Sequence, residues 1–372
     1  MGQAFNKVLG RLYKWMPAAA RPFLKSVFLQ SQIRLIGLLT GRSVRRGKRI
    51  AFLDFDIAYL EEFEYLGPGR DEVEVVSRHS TVSPGTERAV LCGLPGARRS
   101  FPYFPGYSFA GQVVKIGPGV KQFRIGDRVA GRVKHASGDS VSTDLIFRIA
   151  DGVGDEAASF IELGIIALQG IRKAGIKPGD RVAILGQGLI GQLANRLAKA
   201  VGAGAVIALA PSRNRAATAL VPGGADSFIA TSAREFEPHS IGADIVIEAV
   251  GTPDAIVLAA NCARAGGRVV LLGSSRGLSR DVDLARLMRA RGMEMVGAHI
   301  SNMPTSTASP GRFTYRQEGE LFLDLLRMGR LSVDNLVTWR PTPQECNTVY
   351  EVLAKGGRDH VAIVFDWRGV HA

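Results

Sequence analysis

Residues Arg181–Gly191, RVAILGQGLIG, constrain the fold of this chain more than any other stretch. RVAIL is a short apolar run rich in branched residues, the pattern of a buried parallel strand. Gly186, Gly188 and Gly191 follow in GxGxxG spacing, and LIGQLANRLAKAVGA then repeats its apolar residues at helical period up to Gly202. Strand, tight turn and helix in that order give the glycines a physical reading. Gly186 allows the turn, Gly188 lets backbone approach a pyrophosphate, and Gly191 lets helix and strand pack closely. Leu189 and Ile190 open the helix, whose free N–H groups and positive dipole end favour phosphate. The stretch predicts dinucleotide binding.

A chain of 372 residues has room for about two domains of roughly 150 residues. Cys92, Cys262 and Cys346 are scattered, with no CxxC and no Cys/His cluster. Disulfides and structural zinc are therefore not expected, which fits a reducing compartment. No segment is apolar for long enough to span a membrane; the best, Leu35–Leu39, is far too short. The net charge of +13 is concentrated at one end. Residues 1–49 hold eleven Lys or Arg and no acid, while the remaining 323 carry 36 basic and 34 acidic groups. The globular body is thus nearly neutral, which argues against nucleic-acid binding.

In the basic extension, Phe5, Val8, Leu9, Leu12, Tyr13 and Met16 recur at helical spacing around Lys7, Arg11 and Lys14. Such a segment suits peripheral contact with a lipid headgroup layer, packing on the protein's own body or a second subunit, or targeting. The expected location is cytoplasmic, or peripheral at the inner face of a membrane. SVRRGKR, ending at Arg49, reads as a solvated linker. Residues 50–133 are rich in short strands and turns: IAFLDF, the alternating EVEVVSR, and PGYSFAGQVVKIGPGVKQFRIGDRVAG. Many short strands with Gly and Pro between them predict a small barrel. Residues 155–174 turn helical. From Arg181, RVAIL, AVIALA, ADIVIEAV and GGRVVLLG alternate with helical stretches, the pattern of a doubly wound parallel sheet. A helix over 318–328 and a last strand, HVAIVFDW, return the chain to its first domain. The expected division is an extension (1–49), a catalytic domain in two parts (50–165 and 300–372) and a nucleotide domain (166–299).

Six motifs in order, SPGTE, PGYSFAGQVVKIGPGV, GDRVAG, KPGDRVAILGQGLIG, DIVIEAVG and GGRVVLLG, resemble the medium-chain dehydrogenase/reductase superfamily over residues 50–370. The resemblance implies an α/β fold: a chaperonin-10-like β-barrel catalytic domain with an inserted doubly wound Rossmann domain. It also implies a homodimer, a nicotinamide cofactor and a small-molecule substrate. Zinc members carry a cysteine where this chain has Pro84, before Gly85-Thr86-Glu87, and Gly-His-Glu where it has Gly106-Tyr107-Ser108. Only Glu162 remains where a third ligand or nearby acid occurs. One carboxylate does not hold catalytic zinc, which takes about three protein ligands, so no metal is expected. SPGTE with PGY is similar to the zinc-free subgroup that includes bacteriochlorophyllide a dehydrogenase.

An acid normally ends the second strand and binds the ribose 2′-hydroxyl of NAD. Here Ala210 stands there, followed by Pro211, Ser212, Arg213, Asn214 and Arg215. A missing acid, a hydroxyl donor at Ser212 and two guanidinium groups at Arg213 and Arg215 favour NADP(H). Val250, Gly251, Gly273 and Ser274 end later strands, where a nicotinamide lies on this fold. Thr86 matches the family's relay hydroxyl. Tyr107 stands at the lost histidine and either donates to a developing oxyanion or fills the vacated volume. Glu162 is a buried acid near the cofactor or a helix residue with a basic partner. His79 and His299 read as structural. These residues predict a zinc-independent NADPH-dependent oxidoreductase acting on a carbonyl or alcohol. The alternatives are an enoyl or quinone reductase, and a catalytically silent NADPH-binding scaffold at a membrane surface.

Overall fold

The computed structural model describes residues 21–98, 100–278, 283, 285–304, 313–357 and 359–370, with backbone only for 21–29. The apolar repeat from Phe5 to Met16 lies outside the described residues. Helix α1 (Arg21–Thr40) leads into an antiparallel hairpin of β1 (Val44–Asp54) and β2 (Ile57–Leu66). The stretch expected as a solvated linker is therefore the first half of β1. The reason is electrostatic as well as apolar. Arg34 meets Glu64 at 2.6 Å and Arg49 meets Glu61 at 2.6 Å, both acids on β2, while Ile50 and Phe52 are fully buried. Arg42 and Arg45 reach Glu72 and Glu74 on the next strand at 2.5 and 3.1 Å. The balancing acids sit in neighbouring strands, so a count along the extension overstates its free charge.

The first domain continues through β3 (Glu72–Thr81), α2 (Pro84–Leu91), β4 (Phe109–Ile116), β5 (Arg128–Gly131), β6 (Gly138–Ser142) and β7 (Ile146–Arg148). Two helices, α3 (Asp155–Ala158) and α4 (Ile161–Ala174), lead into the nucleotide domain. There β8 (Arg181–Leu185), α5 (Leu189–Ala200), β9 (Ala205–Ala210), α6 (Ala216–Ala219), β10 (Ser227–Ala230), β11 (Ala243–Glu248), α7 (Pro253–Cys262), β12 (Ala263–Leu271) and β13 (Glu294–Gly297) follow in turn. The chain closes with α8 (Tyr315–Arg327), β14 (Val337–Trp339), α9 (Cys346–Ala354) and β15 (Ala362–Asp366).

The nucleotide domain is a six-stranded parallel sheet in the order β10-β9-β8-β11-β12-β13. Strand order reverses between β8 and β11, so a crevice opens beyond their carboxyl ends. Val182, Ala183, Ile184 and Leu185 of β8 are buried, as a central strand covered on both faces requires. The barrel-like sheet runs β14-β15-β3-β4-β5-β7, with β6 on β3. Its C-terminal strand, β15, pairs antiparallel with β3, Val364 opposite Thr81. The architecture is the expected α/β one, a curled catalytic sheet with a Rossmann sheet inserted in sequence.

Helices α4 and α8 cross one another through a buried ion pair. Arg172 grips Glu318 with two contacts, one of 3.0 Å, and its guanidinium lies 3.5 Å from the Phe313 ring centroid. Glu318 is fully buried. Removing only the cation strands a carboxylate in the core, so Arg172→Met should cost about 3–5 kcal/mol in urea unfolding. Adding Glu318→Leu should recover most of that loss.

Candidate active site

The glycine turn occupies the crevice mouth, and its geometry is set by contact. Gly186 has φ +97°, and a Cβ on Gly191 would lie 1.8 Å from the Gly186 carbonyl oxygen. The helix start is pressed directly onto the turn, and only hydrogen fits between them. Gly188 faces the other way: a Cβ there would meet only Arg215 Nη1, at 3.7 Å. That open backbone face at the start of α5 is a cradle for phosphate, so the residues present fit a dinucleotide.

A cleft of about 420 Å³ runs over this turn. Gly188, Leu189, Ile190, Val250, Gly273 and Ser274 line one side, and Ser83, Thr86, Arg88 and Tyr107 the other. A second cavity of about 850 Å³ shares Thr86, Gly273, Ser274 and Arg276 with it and includes Gly251. Thr86 therefore stands where the two spaces meet. Gly186 and Gly191 do not line the cleft; they hold the crossing beneath it.

Tyr107 donates to Ser83 Oγ at 2.6 Å, and burial pushes its phenol up to about 12. The ring points into the cleft from a loop that needs glycine. Gly106 has φ +86°, and a Cβ there would sit 2.5 Å from the His135 amide nitrogen. The first turn of α2, which bears Thr86, is held from below by Glu87, which is fully buried. Its carboxylate accepts from the Ser83 amide at 2.8 Å, from Tyr350 Oη at 2.5 Å, and meets His135 Nε2 at 3.2 Å. His135 Nδ1 contacts Ser80 Oγ at 2.7 Å, and that oxygen accepts from Trp367 Nε1 at 2.8 Å. Apart from Ser83, four residues before Glu87, none of these partners is visible in local spacing, since Glu87, His135 and Tyr350 lie far apart in sequence.

Glu162 does not line the cleft with Thr86 and Tyr107, although it lies close enough to Tyr107 to help raise the phenol's pKa. Its carboxylate takes Arg132 Nη2 at 2.7 Å and the hydroxyl of Tyr315, which consume both oxygens. Burial raises its pKa, and Arg132 and Tyr315 work against that rise. It is the helix residue with a basic partner. Ser108 is also structural: it donates to the Ser159 carbonyl at 2.6 Å and accepts from the Glu162 amide at 3.1 Å. His79 is buried within β3, which pushes its pKa down. His299 contacts Ser301 Oγ at 2.7 Å and lines the larger cavity.

The two arginines after β9 separate. Arg215 lines the cleft, and its guanidinium donates to the carbonyls of Gln187, Gly357 and His360, at 3.2, 3.3 and 2.7 Å. It ties the glycine turn to the C-terminal segment while leaving a positive charge beside Gly188. Ser212 and Arg213 are exposed outside the cleft wall. Arg213 lies 5.7 Å from the Phe228 ring centroid and donates to the Phe228 carbonyl at 3.4 Å. Arg276, overlooked in the sequence, spans to the Gly85 carbonyl at 3.2 Å. Its place just past the carboxyl end of β12 was the signal available for it.

Zinc does not fit this donor set. Pro84 offers no ligand atom, Tyr107 is committed to Ser83 and Glu162 to Arg132. Among the described residues no three His, Cys, Asp or Glu side chains group together as a metal site.

Comparison with known proteins agrees with this architecture. Residues 69–155 match the alcohol dehydrogenase GroES-like domain, and residues 190–310 match the zinc-binding dehydrogenase family, together more than half of the chain. The (R,R)-butanediol dehydrogenase of Bacillus subtilis (strain 168) is 26% identical over 279 residues, 66% of this chain and 75% of that protein. Galactitol-1-phosphate dehydrogenase from Escherichia coli superposes with a TM-score of 0.75 at 20% identity, covering 86% of this chain and 99% of that one. A Sinorhizobium meliloti 1021 protein solved bound to NADP gives 0.72 at 23% identity, covering 87% and 99%. By these two domain matches and its relatives, the chain belongs to the medium-chain dehydrogenase/reductase superfamily of the zinc-type alcohol dehydrogenases.

Proposed function

We propose that this chain is a zinc-independent, NADP(H)-dependent oxidoreductase that interconverts a carbonyl and an alcohol. The observation that carries the reading is the Tyr107–Ser83 hydrogen bond beside Thr86, with Tyr107 and Pro84 standing where the family resemblance puts zinc ligands. Gly188, Leu189 and Ile190 would hold the pyrophosphate, with Gly186 and Gly191 fixing the turn. Ser212 and Arg213 would meet the 2′-phosphate at the rim, and Arg215 would add charge beside the turn. Val250, Gly251, Gly273 and Ser274 would bound the nicotinamide end. When bound, the dinucleotide supplies hydride to the substrate carbon or takes it away.

The chain's own part is to orient the carbonyl and manage a proton. Tyr107, with its pKa near 12, stays a phenol through the neutral range and keeps the proton that a developing alkoxide needs. Ser83 holds that phenol through its hydroxyl oxygen until a substrate oxygen replaces it as the acceptor of the one phenolic proton, and Thr86 offers a second hydroxyl at the junction of the two cavities. This reading places the chain with the zinc-free subgroup. Edge strand β13 is bordered only by β12 among the described residues, which suits sheet continuation in the expected homodimer.

The basic extension supports a second, independent reading, peripheral contact with lipid. Leu38 and Leu39 of α1 are 82% and 76% exposed, and Leu35 lies on the same face. No described helix is long and apolar enough to cross a membrane. A surface-lying helix needs only such a face and an acid-poor flank.

Turnover of a ketone and enone panel by chelator-treated protein with NADPH tests the main reading. Ketone reduction without metal is the expected result; activity restored only by zinc contradicts it, enone reduction alone favours the conjugated-acceptor alternative, and NADPH binding without any turnover favours the scaffold. Tyr107→Phe should lower kcat about 10²- to 10⁴-fold with little change in NADPH affinity. The wild-type alkaline limb should stay flat up to about pH 11, because the phenol must deprotonate before its proton is lost. Arg213→Ala should weaken NADPH about tenfold and leave NADH unchanged in fluorescence titration. Flotation with anionic vesicles should carry wild type but not a Leu35, Leu38, Leu39→Ser triple variant.

A further inference from the structure

We propose that the substrate carries an anionic group, a carboxylate or a phosphate ester, seated among Arg98, Lys134 and Arg276 in the larger cavity. The inference rests on the oxidoreductase reading for the word substrate, while the anion site itself stands on the cavity. The space of about 850 Å³ adjoins Thr86, so a molecule reacting there extends into it. Arg98, Lys134 and Arg276 all line its wall.

None of the three is hydrogen-bonded or ion-paired to a carboxylate among the described residues, although Glu87 and Asp139 act on Lys134 from further off. Arg98 donates from Nε to the Ser100 hydroxyl at 2.7 Å. Arg276 donates to the Ser275 and Gly85 carbonyls, at 3.3 and 3.2 Å. Neutral oxygens orient these side chains without cancelling their charge. Lys134 has no hydrogen-bond or ion-pair partner among the described residues. The contrast with their surroundings is informative. Arg49, Arg78, Arg128 and Arg132 in the same domain are each matched to Glu61, Asp155 or Glu162.

The wall's one acid does not serve the cations. Glu248 Oε1 accepts the amides of Val250 and Gly251, at 2.6 and 2.7 Å, its Oε2 is buried without a hydrogen-bond partner, and neither oxygen pairs with Arg98, Lys134 or Arg276. Arg98 and Lys134 lie close enough for their like charges to oppose one another, and Arg276 adds a third cation to the same wall, so an anion entering the cavity is favoured. Arg276 also borders the dinucleotide cleft, whereas Arg98 and Lys134 line only the larger cavity. These two therefore report on substrate and not on cofactor. A planar guanidinium beside a compact ammonium suits either a carboxylate or a phosphate ester.

The test compares neutral polyols with the matching sugar acids and polyol phosphates as substrates of the wild type, Arg98→Gln and Lys134→Gln. Acid or phosphate members should have the higher kcat/KM, falling as salt is raised; which of the two leads assigns the group. Each variant should raise their KM roughly ten- to a hundredfold while leaving the NADPH Kd unchanged. Calorimetric titration with malonate and with inorganic phosphate gives a readout independent of turnover. Saturable binding weakened in both variants supports the anion site even if NADPH fails to bind and the oxidoreductase reading falls. Equal use of neutral and anionic compounds, with no anion binding that depends on Arg98 or Lys134, overturns the proposal.

Discussion

A single buried carboxylate organises the catalytic half of this molecule. Glu87 sits in the first turn of α2, capped by Ser83, and accepts hydrogen bonds from three separate parts of the chain. One is the Ser83 cap of its own helix, one is the His135 segment, and one is Tyr350 on the returning C-terminal helix. A fully buried charge is tolerable only with such partners. The consequence is positional. Ser83 and Thr86 are fixed relative to Tyr107, because His135 also packs against Gly106. The hydroxyls that face the cleft are rigid because the charge beneath them must be satisfied.

The other half contributes an opening rather than a set of side chains. Strand order reverses beside β8, and the glycine turn at that point presents bare backbone. Arg215 then links the turn to the C-terminal segment through backbone carbonyls. The cleft is thus bounded by three stretches distant in sequence, and the domain insertion is what brings them together. On the proposed function, this geometry puts a dinucleotide's reactive end between the ends of β11 and β12 and the Thr86–Tyr107 wall. The phenol then does locally what a Lewis acid does in zinc relatives, by donating to oxygen instead of coordinating it.

Much of this was legible because it is local. RVAILGQGLIG, ADIVIEAV and GGRVVLLG each carry strand periodicity and turn chemistry within about ten residues, which is the range over which pattern reasoning works. The fold followed from them. The errors have a common physical cause, which is pairing across long sequence distance. VRRGKR looked solvated because its acids lie on β2 and β3, and the basic partner allowed for Glu162 could not be named because Arg132, like Tyr315, comes from another element. His135 gave no signal at all, for a lone histidine between Lys134 and Ala136 has no local pattern. Arg98 and Lys134 were overlooked for the same reason, since only the folded cavity brings them to one wall.

The central claim is that the glycine crossing and the arginines after β9 form a dinucleotide site selective for a 2′-phosphate. Its most direct test is a co-crystal structure of the chain grown with NADP(H), with metal analysed on the same crystals. The account predicts pyrophosphate over Gly188, the 2′-phosphate within reach of Ser212 and Arg213, the nicotinamide facing Tyr107, and no metal beside it. A dinucleotide bound elsewhere, or a zinc ion held at Tyr107, would contradict it.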